Sequence, residues 1–518
     1  MYRQDPDSAK KTLFDLQDLE GVNESERVLN KLCQNSFMRL WAQSNVFTNE
    51  GFKNGRGSTK ELCDVLIIFG NDILIFSDKH IKFQEEKELN IAWSRWYKRA
   101  VADSIRQLYG AKNWLVRFPE RIFLDGACTR KLPVSIPIGP EAKIHLIAVT
   151  RGSRAASLSA NNGEGFGSLS INTSVRGDEH FKAPFTIGQH DVSKGFVHVF
   201  DEVTVELLLK ELDTAADFIA YINERERVIG SPNLSVHARG EEDLLAFYMQ
   251  TMDASGSSHK LFDLPESGSG LVLVDDKLFE CLQENPAYLR KKEADAISYE
   301  WDKLVEKFIE YGDPTLHEAF VEQNASVSEK GLRLLAAEGR FRRRQLADKF
   351  IAALRRTGPG EGLGRVIYSG VVGETVFIFL VVPKQDDETY EAYRRYRAGL
   401  LHAYCRIAKL QAPLGTEFVG IGFDNIHKNY SGGSQDLMVY SQSSWTEDDI
   451  KELEFMSEKL GILGPNLQIS RLQETEFPIA KQPTYSHRTQ EPSSVARKKN
   501  STEKNKRKMQ KKSRRLNR

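Results

Sequence analysis

Hydrophobic positions along this chain switch between two periods. Over residues 24–43 they recur at helical spacing (Val28, Leu29, Leu32, Cys33, Phe37, Leu40, Trp41), with Asn23 placed to cap the start. Two short runs rich in Ile, Val, Leu and Phe follow at 63–69 and 73–77, joined by Gly70-Asn71-Asp72, and predict an antiparallel strand pair. A polar, glycine-bearing connection at 47–58 precedes them. The helical period returns over 93–115, where Trp93, Trp96, Tyr97, Ala100, Leu108, Ala111, Trp114 and Leu115 mark a packing face. After the proline-punctuated stretch 133–140, residues 143–150 (KIHLIAVT) read as another strand. The order is helix, strands, helix, strand, which predicts an α/β fold.

Further on, strands are predicted at 167–173 and 195–200 and one long amphipathic helix at 203–227, closing a first domain over residues 1–255. Residues 256–360 read as a mainly helical linking region: a turn at Ser267-Gly268-Ser269-Gly270, a strand at LVLVDD, then helices over 278–311 and 319–355. A smaller α/β domain at 361–480 is predicted from a hairpin (365–371 and 375–382), a helix (387–411), a strand (418–423) and a helix (446–460). Residues 481–518 form a basic tail. No internal repeat is present.

Composition changes little in this picture. At 518 residues and 40% hydrophobic content the chain has room for two or three packed domains. No apolar run approaches a membrane span, and the polar start MYRQDPDSAKK lacks the apolar core of a secretory signal. The five scattered cysteines have no zinc spacing and suit a reducing cytoplasm. Charge is more telling. Residues 497–518 carry 12 Lys/Arg against one Asp/Glu, a net +11 that the rest of the chain offsets to zero. Such a tail is expected to be a solvated arm, and it could bind nucleic acid or fold back on the acidic body.

The strand pair carries the candidate chemistry. It opens with ELCD (Glu61–Asp64) and ends in FSDK (Phe76–Lys79), so Asp64 and Lys79 come to neighbouring strand ends. Phosphodiester cleavage uses a divalent ion held by carboxylates, with a lysine to stabilise developing charge. An acid and a lysine two residues apart share one strand face. Here Ser77, not an acid, is in phase with Lys79, and Asp78 is one residue out. Either a bulge at the strand end turns Asp78 into the site, or Ser77 weakens or abolishes the metal site.

These residues resemble the PD-(D/E)xK, restriction-endonuclease-like nuclease superfamily, and the predicted element order over 24–150 matches its αβββαβ core. The chain is also similar to a group of long bacterial proteins of unassigned function, through ELCD, IFSDKH, WSRWYKRA, RIFLDGAC, GFVHVFDE, LDTAADFIAY and GEEDLLAFY. The resemblance implies a Mg²⁺- or Mn²⁺-dependent endonuclease acting on DNA, in genome defence or DNA processing. Asp64 would be the main metal-binding acid, Asp78 a second ligand if the strand bulges, Lys79 the catalytic lysine, and Glu26 an auxiliary acid. The competing class is a nuclease-like protein that binds DNA or scaffolds partners without cutting. Convergence of Asp64, Asp78 and Lys79 on one point would favour catalysis; an Asp78 facing away would favour the other.

On the second helix Arg95, Lys98 and Arg99 are candidates for phosphate contact and Gln107 for the site or the nucleic acid, while its tryptophans read as core. Arg340, Arg342, Arg343 and Arg344 read as a solvated helix face. His145 and His198, in apolar strands, read as core or hydrogen-bonded histidines. Gly163–Gly167 lacks the Lys-Ser/Thr of a phosphate-binding loop, and no hydrolase, zincin or kinase signature is present.

Overall fold

A computed structural model describes residues 13, 14, 16, 23–52, 58–190, 192–254, 256, 258–311, 325–427, 434–464, 469–471 and 474–478. The basic tail lies outside the described residues. Helix α1 (Glu24–Trp41) starts at Asn23, whose side chain accepts the Glu26 N–H at 3.0 Å, and it runs straight into β1 (Ala42–Thr48). Strands β2 (Lys60–Phe69) and β3 (Asp72–His80) close on the two-residue loop Gly70-Asn71, where Gly70 takes a φ of 62°. Then α2 (Leu89–Tyr97), a π-helical turn (Lys98–Ala102) and α3 (Asp103–Arg117) form one continuous helix. Next come β4 (Ile122–Phe123), β5 (Lys143–Arg151), α4 (Arg154–Ala160), β6 (Ser170–Arg176), β7 (Thr186–Gln189) and β8 (Val197–Asp201). Helices α5 (Glu202–Glu211) and α6 (Ala215–Ile229), strand β9 (Leu234–Ala238) and α7 (Glu241–Gln250) complete this part.

The first sheet has the order β4-β1-β2-β3-β5-β8. β1, β2 and β3 form an antiparallel meander, β5 is parallel to β3, and β8 is parallel to β5. α3 packs on β3 and β5; α1 packs on β1, β2, α5 and α6. The expected single helix over 203–227 is two helices. It breaks at Leu212–Thr214 because the Thr214 side chain caps a new helix, accepting the Asp217 N–H at 3.1 Å.

A second sheet, β10-β9-β6-β7, takes its edge strand β10 (Gly270–Leu273) from beyond residue 255, paired parallel to β9. The helices α8 (Leu278–Glu284), α9 (Pro286–Asp295), α10 (Tyr299–Tyr311), α11 (Ala325–Ala336) and α12 (Arg340–Arg356) follow. The third sheet, β11-β12-β13-β14, consists of β11 (Leu363–Ile367), β12 (Thr375–Val382), β13 (Glu417–Asp424) and β14 (Gln435–Ser441). Its parallel pair β12–β13 is bridged by α13 (Tyr390–Ile407), and α14 (Glu447–Leu460) follows β14. Phe377, Phe379, Val419 and Ile421 on one face of this sheet join the core that also holds Ile67, Ile75 and Trp301. Its other face packs Ile378 and Leu380 against Leu401 and Cys405 of α13.

The arginine cluster departs from its expected solvated face. Arg340, Arg343 and Arg344 are buried. Arg343 donates to Asp302 at 2.7 Å and to the Ala336 carbonyl at 2.6 Å. Arg340 bridges Asp213 and Asp302, each at 2.8 Å, and Arg344 donates to Asp295 at 3.0 Å. Successive side chains spread around the cylinder, but α12 is covered on several sides, so each arginine meets a carboxylate of another element.

Candidate nuclease-like site

β3 keeps an unbroken register with β5, from Asp72↔Lys143 to His80↔Arg151. Side-chain alternation therefore persists to the strand end. Ser77 and Lys79 face α3, and Asp78 faces α1. No bulge rotates Asp78 into the site. Its side chain is fully buried and accepts from Arg151 Nε at 2.9 and 3.1 Å. Burial raises its pKa, opposed by Arg151 and by the Ser25 hydroxyl. On α1, the Cys33 thiol is raised by burial and by the Asp78 charge, which places the carboxylate on that side of the sheet. Asp64, Asp78 and Lys79 do not converge on one point; of the two alternatives, the bulge at the end of β3 is not the one formed.

The bulge is on the neighbouring strand. Val46 pairs with Cys63 and Phe47 with Glu61, so the β1–β2 register skips Leu62. Regular alternation sends Glu61 and Asp64, three residues apart, to opposite faces. One inserted residue restores their phase. Glu61, Asp64, Ser77 and Lys79 accordingly line one cleft of about 590 Å³, roofed by Gln107 and Asn113 of α3. Lys60, Arg106 and Arg117 stand on its walls.

Asp64 ends the β2–β3 ladder. Past the Val65↔Phe76 pair its Oδ2 accepts the Asp78 backbone N–H at 2.6 Å. Its pKa is pushed up to about 7, first by burial and then by the charges of Glu61, Glu26 and Asp78; the N–H bond works against the rise. Glu61 is raised by burial and by Glu26, with Lys79 opposing. Two carboxyls, both raised and both within reach of the Glu26 charge, beside a lysine form the electrostatic setting of a cation or phosphate site. Glu26 occupies the first turn of α1, its carboxyl accepting from the Asn23 side chain. Its charge reaches Asp64, Glu61 and Asp78, but it does not line the cleft.

Gln107, exposed on α3, lines the cleft, while Arg95, Lys98 and Arg99 are exposed on the same long helix outside the cleft lining. Trp93, Trp96 and Tyr97 are core, with the Trp93 and Trp96 indoles donating to the carbonyls of His180 and Ile81. Glu61 is the residue that sequence reasoning missed. The only signal available was its place in ELCD, and alternation argued against it.

Among the described residues, one group of three His, Cys, Asp or Glu side chains presents ligand atoms all within 4.8 Å of one another, and it is not at this cleft: His145, His198 and Glu226. No helix among the described residues is long and apolar enough to cross a membrane. The architecture is mixed α/β, and no family model, no curated protein and no solved structure matches the chain.

Proposed function

We propose that this chain is a metal-dependent endonuclease of the restriction-endonuclease-like type, with Asp64, Glu61 and Lys79 as its site in place of Asp64, Asp78 and Lys79. The observation that carries the reading is the shared cleft, in which a bulge brings Glu61 into phase with Asp64 opposite Lys79 and beneath Gln107. The strand order around it, a three-stranded meander followed by a strand parallel to its third member, agrees with the core that the resemblance implies. DNA is the expected substrate and the cytoplasm the expected compartment.

The donor set is all oxygen, which suits Mg²⁺ or Mn²⁺. Asp64 and Glu61 would hold the ion, and a cation would offset the burial and the neighbouring negative charge that raise both carboxyls. The ion supplies Lewis-acid neutralisation of the charge that builds on the scissile phosphate. Lys79 places a fixed ammonium against a non-bridging phosphate oxygen, strongest where charge develops. Gln107 can hydrogen-bond water or phosphate from α3. Lys60, Arg106 and Arg117 would position the backbone on either side without reading sequence.

A second reading is favoured by Ser77 in the acid's place and by Asp78 locked to Arg151: the same cleft binds nucleic acid without cutting it. Incubation of plasmid DNA, and of single- and double-stranded DNA and RNA oligonucleotides, with Mg²⁺ or Mn²⁺ decides between them. Cleavage is expected, slowed roughly 10²-fold or more by Asp64→Asn and by Lys79→Met. Glu61→Gln should raise the metal concentration needed. Binding with no cleavage under any cation establishes the second reading. Cleavage equal in all three variants sinks the site assignment.

A further inference from the structure

At the opposite end of the first sheet, and on its other face, two histidines and a glutamate meet. Ile147 of β5 pairs with His198 of β8 in a parallel ladder, so His145, two residues back along β5, lies on the same face as His198. Glu226 reaches over them from α6. One ligand atom from each side chain falls within 4.8 Å of the other two. Both imidazoles are buried, His145 at 1% exposure and His198 at 0%.

The ring nitrogens are arranged unequally. His145 Nε2 lies 2.9 Å from Asp72 Oδ1, a carboxylate that fixes the proton on Nε2. Its Nδ1 is left buried with no hydrogen-bond partner, 3.7 Å from Glu226 Oε2 and beyond hydrogen-bond length. His198 Nε2 is likewise buried with no partner. Its Nδ1 has only the Arg225 Nη1 at 3.4 Å, at the outer edge of a hydrogen bond, while Arg225 spends its Nε and Nη2 on Glu241 at 2.7 and 3.0 Å. Two ring nitrogens without a close hydrogen bond, one of them paired with the Glu226 carboxylate at 3.7 Å, and a carboxylate behind one histidine form the donor set and backing of a zinc-type site.

We infer that His145, His198 and Glu226 bind one divalent transition-metal ion, zinc by preference, oriented by Asp72. Imidazole donors favour zinc over magnesium. Zinc–ligand bonds of ~2.0–2.1 Å put tetrahedral neighbours about 3.3 Å apart, so the ligands close in slightly, chiefly through the partly exposed Glu226. The site is independent of the proposed nuclease cleft: Asp72 and Lys79 lie at opposite ends of β3, roughly 23 Å apart at ~3.3 Å per residue.

Metal-stripped full-length protein, titrated with Zn²⁺ against a chromophoric chelator and with Co²⁺ by visible absorption, tests this. The expected result is one tightly held ion per chain, a Co²⁺ spectrum of nitrogen–oxygen ligation without thiolate charge transfer, and a raised Tm. Glu226→Gln should abolish tight uptake. Asp72→Asn should weaken it about 10–100-fold. Both alter partly exposed side chains, so circular dichroism can establish that the fold is retained. Asp64→Asn should leave this tight uptake in place and remove only the weaker uptake of the nuclease-like cleft. No saturable uptake by the wild type overturns the proposal, and so does uptake unchanged by both Glu226→Gln and Asp72→Asn, which would put the ion elsewhere, for example on Cys128 or Cys281.

Discussion

At the scale of single residues, the adjacent pair Ser77 and Asp78 shows what strand alternation can and cannot decide. Because β3 and β5 stay in register to the last pair, the phase read from the sequence holds, and Asp78 belongs to α1 and Arg151. Asp78→Asn should therefore leave cleavage within about twofold while lowering stability, since it leaves the Arg151 charge buried without its partner. Ser77→Asp adds a carboxyl on the face of Asp64 and Lys79. If the cleft cleaves, this variant should need less Mg²⁺ than wild type in the same plasmid assay; a higher Mg²⁺ requirement would contradict the facing assigned to Ser77. Asp64 and Lys79 were legible from residue type and turn. Glu61 was not, because the extra residue Leu62 resets the phase of β2 and a bulge leaves no composition signal in this strand. His145 and His198 were legible only as buried. Their meeting depends on the register of two strands far apart in sequence.

At the scale of elements, helix existence was easy to read and helix surroundings were not. The run Trp93 to Leu115 forms as expected but carries a π-helical turn at Lys98–Ala102, whose i→i+5 bonding inserts one residue and so shifts the phase between the tryptophan face and the cleft-facing Gln107. Periodicity marked α12 too, yet its arginines were assigned to solvent, because nothing local announces that carboxylates from α10 and from the α5–α6 junction will cover them. The distinction is measurable. Arg343→Met should destabilise by about 3 kcal/mol, because Asp302 and the Ala336 carbonyl lose a buried donor. Arg342→Ala, whose partners Gln345 and Glu338 lie on adjacent turns and whose side chain is partly exposed, should cost about 1 kcal/mol or less. Equal shifts of the urea midpoint in the two variants would return α12 to a solvated face.

At the scale of the whole molecule, one large core joins the first two sheets to one face of the third, and a short segment, residues 474–478, fastens onto the helices beside it. Residues 474–478 are held by the buried arginine network: Arg344 donates to the Thr475 and Glu476 carbonyls at 2.8 and 3.1 Å, and Arg290 to the Pro478 carbonyl at 3.0 Å. Glu476 also lies 2.8 Å from His259 Nε2 and 3.4 Å from Lys291. This clasp depends on two protonation states. Burial alone would lower the His259 pKa, but its contact with Glu476 raises it above the usual 6.5. Burial alone would raise Glu476, but His259 and Lys291 bring it below the usual 4.5. A histidine raised on folding stabilises fully below its unfolded pKa and loses that contribution as the pH climbs through the folded one; a lowered carboxyl loses its contribution as the pH falls through its own folded value. The clasp should be tightest between about pH 5 and 6.5. It should loosen above that window as His259 deprotonates, and below it as Glu476 protonates. Limited proteolysis across this range should release the C-terminal segment faster at pH 8.5 than at pH 6. His259→Gln, which keeps a donor but no charge, should remove the alkaline limb of that dependence. A cleavage rate of the same ratio in wild type and His259→Gln would place the pH sensitivity in another group.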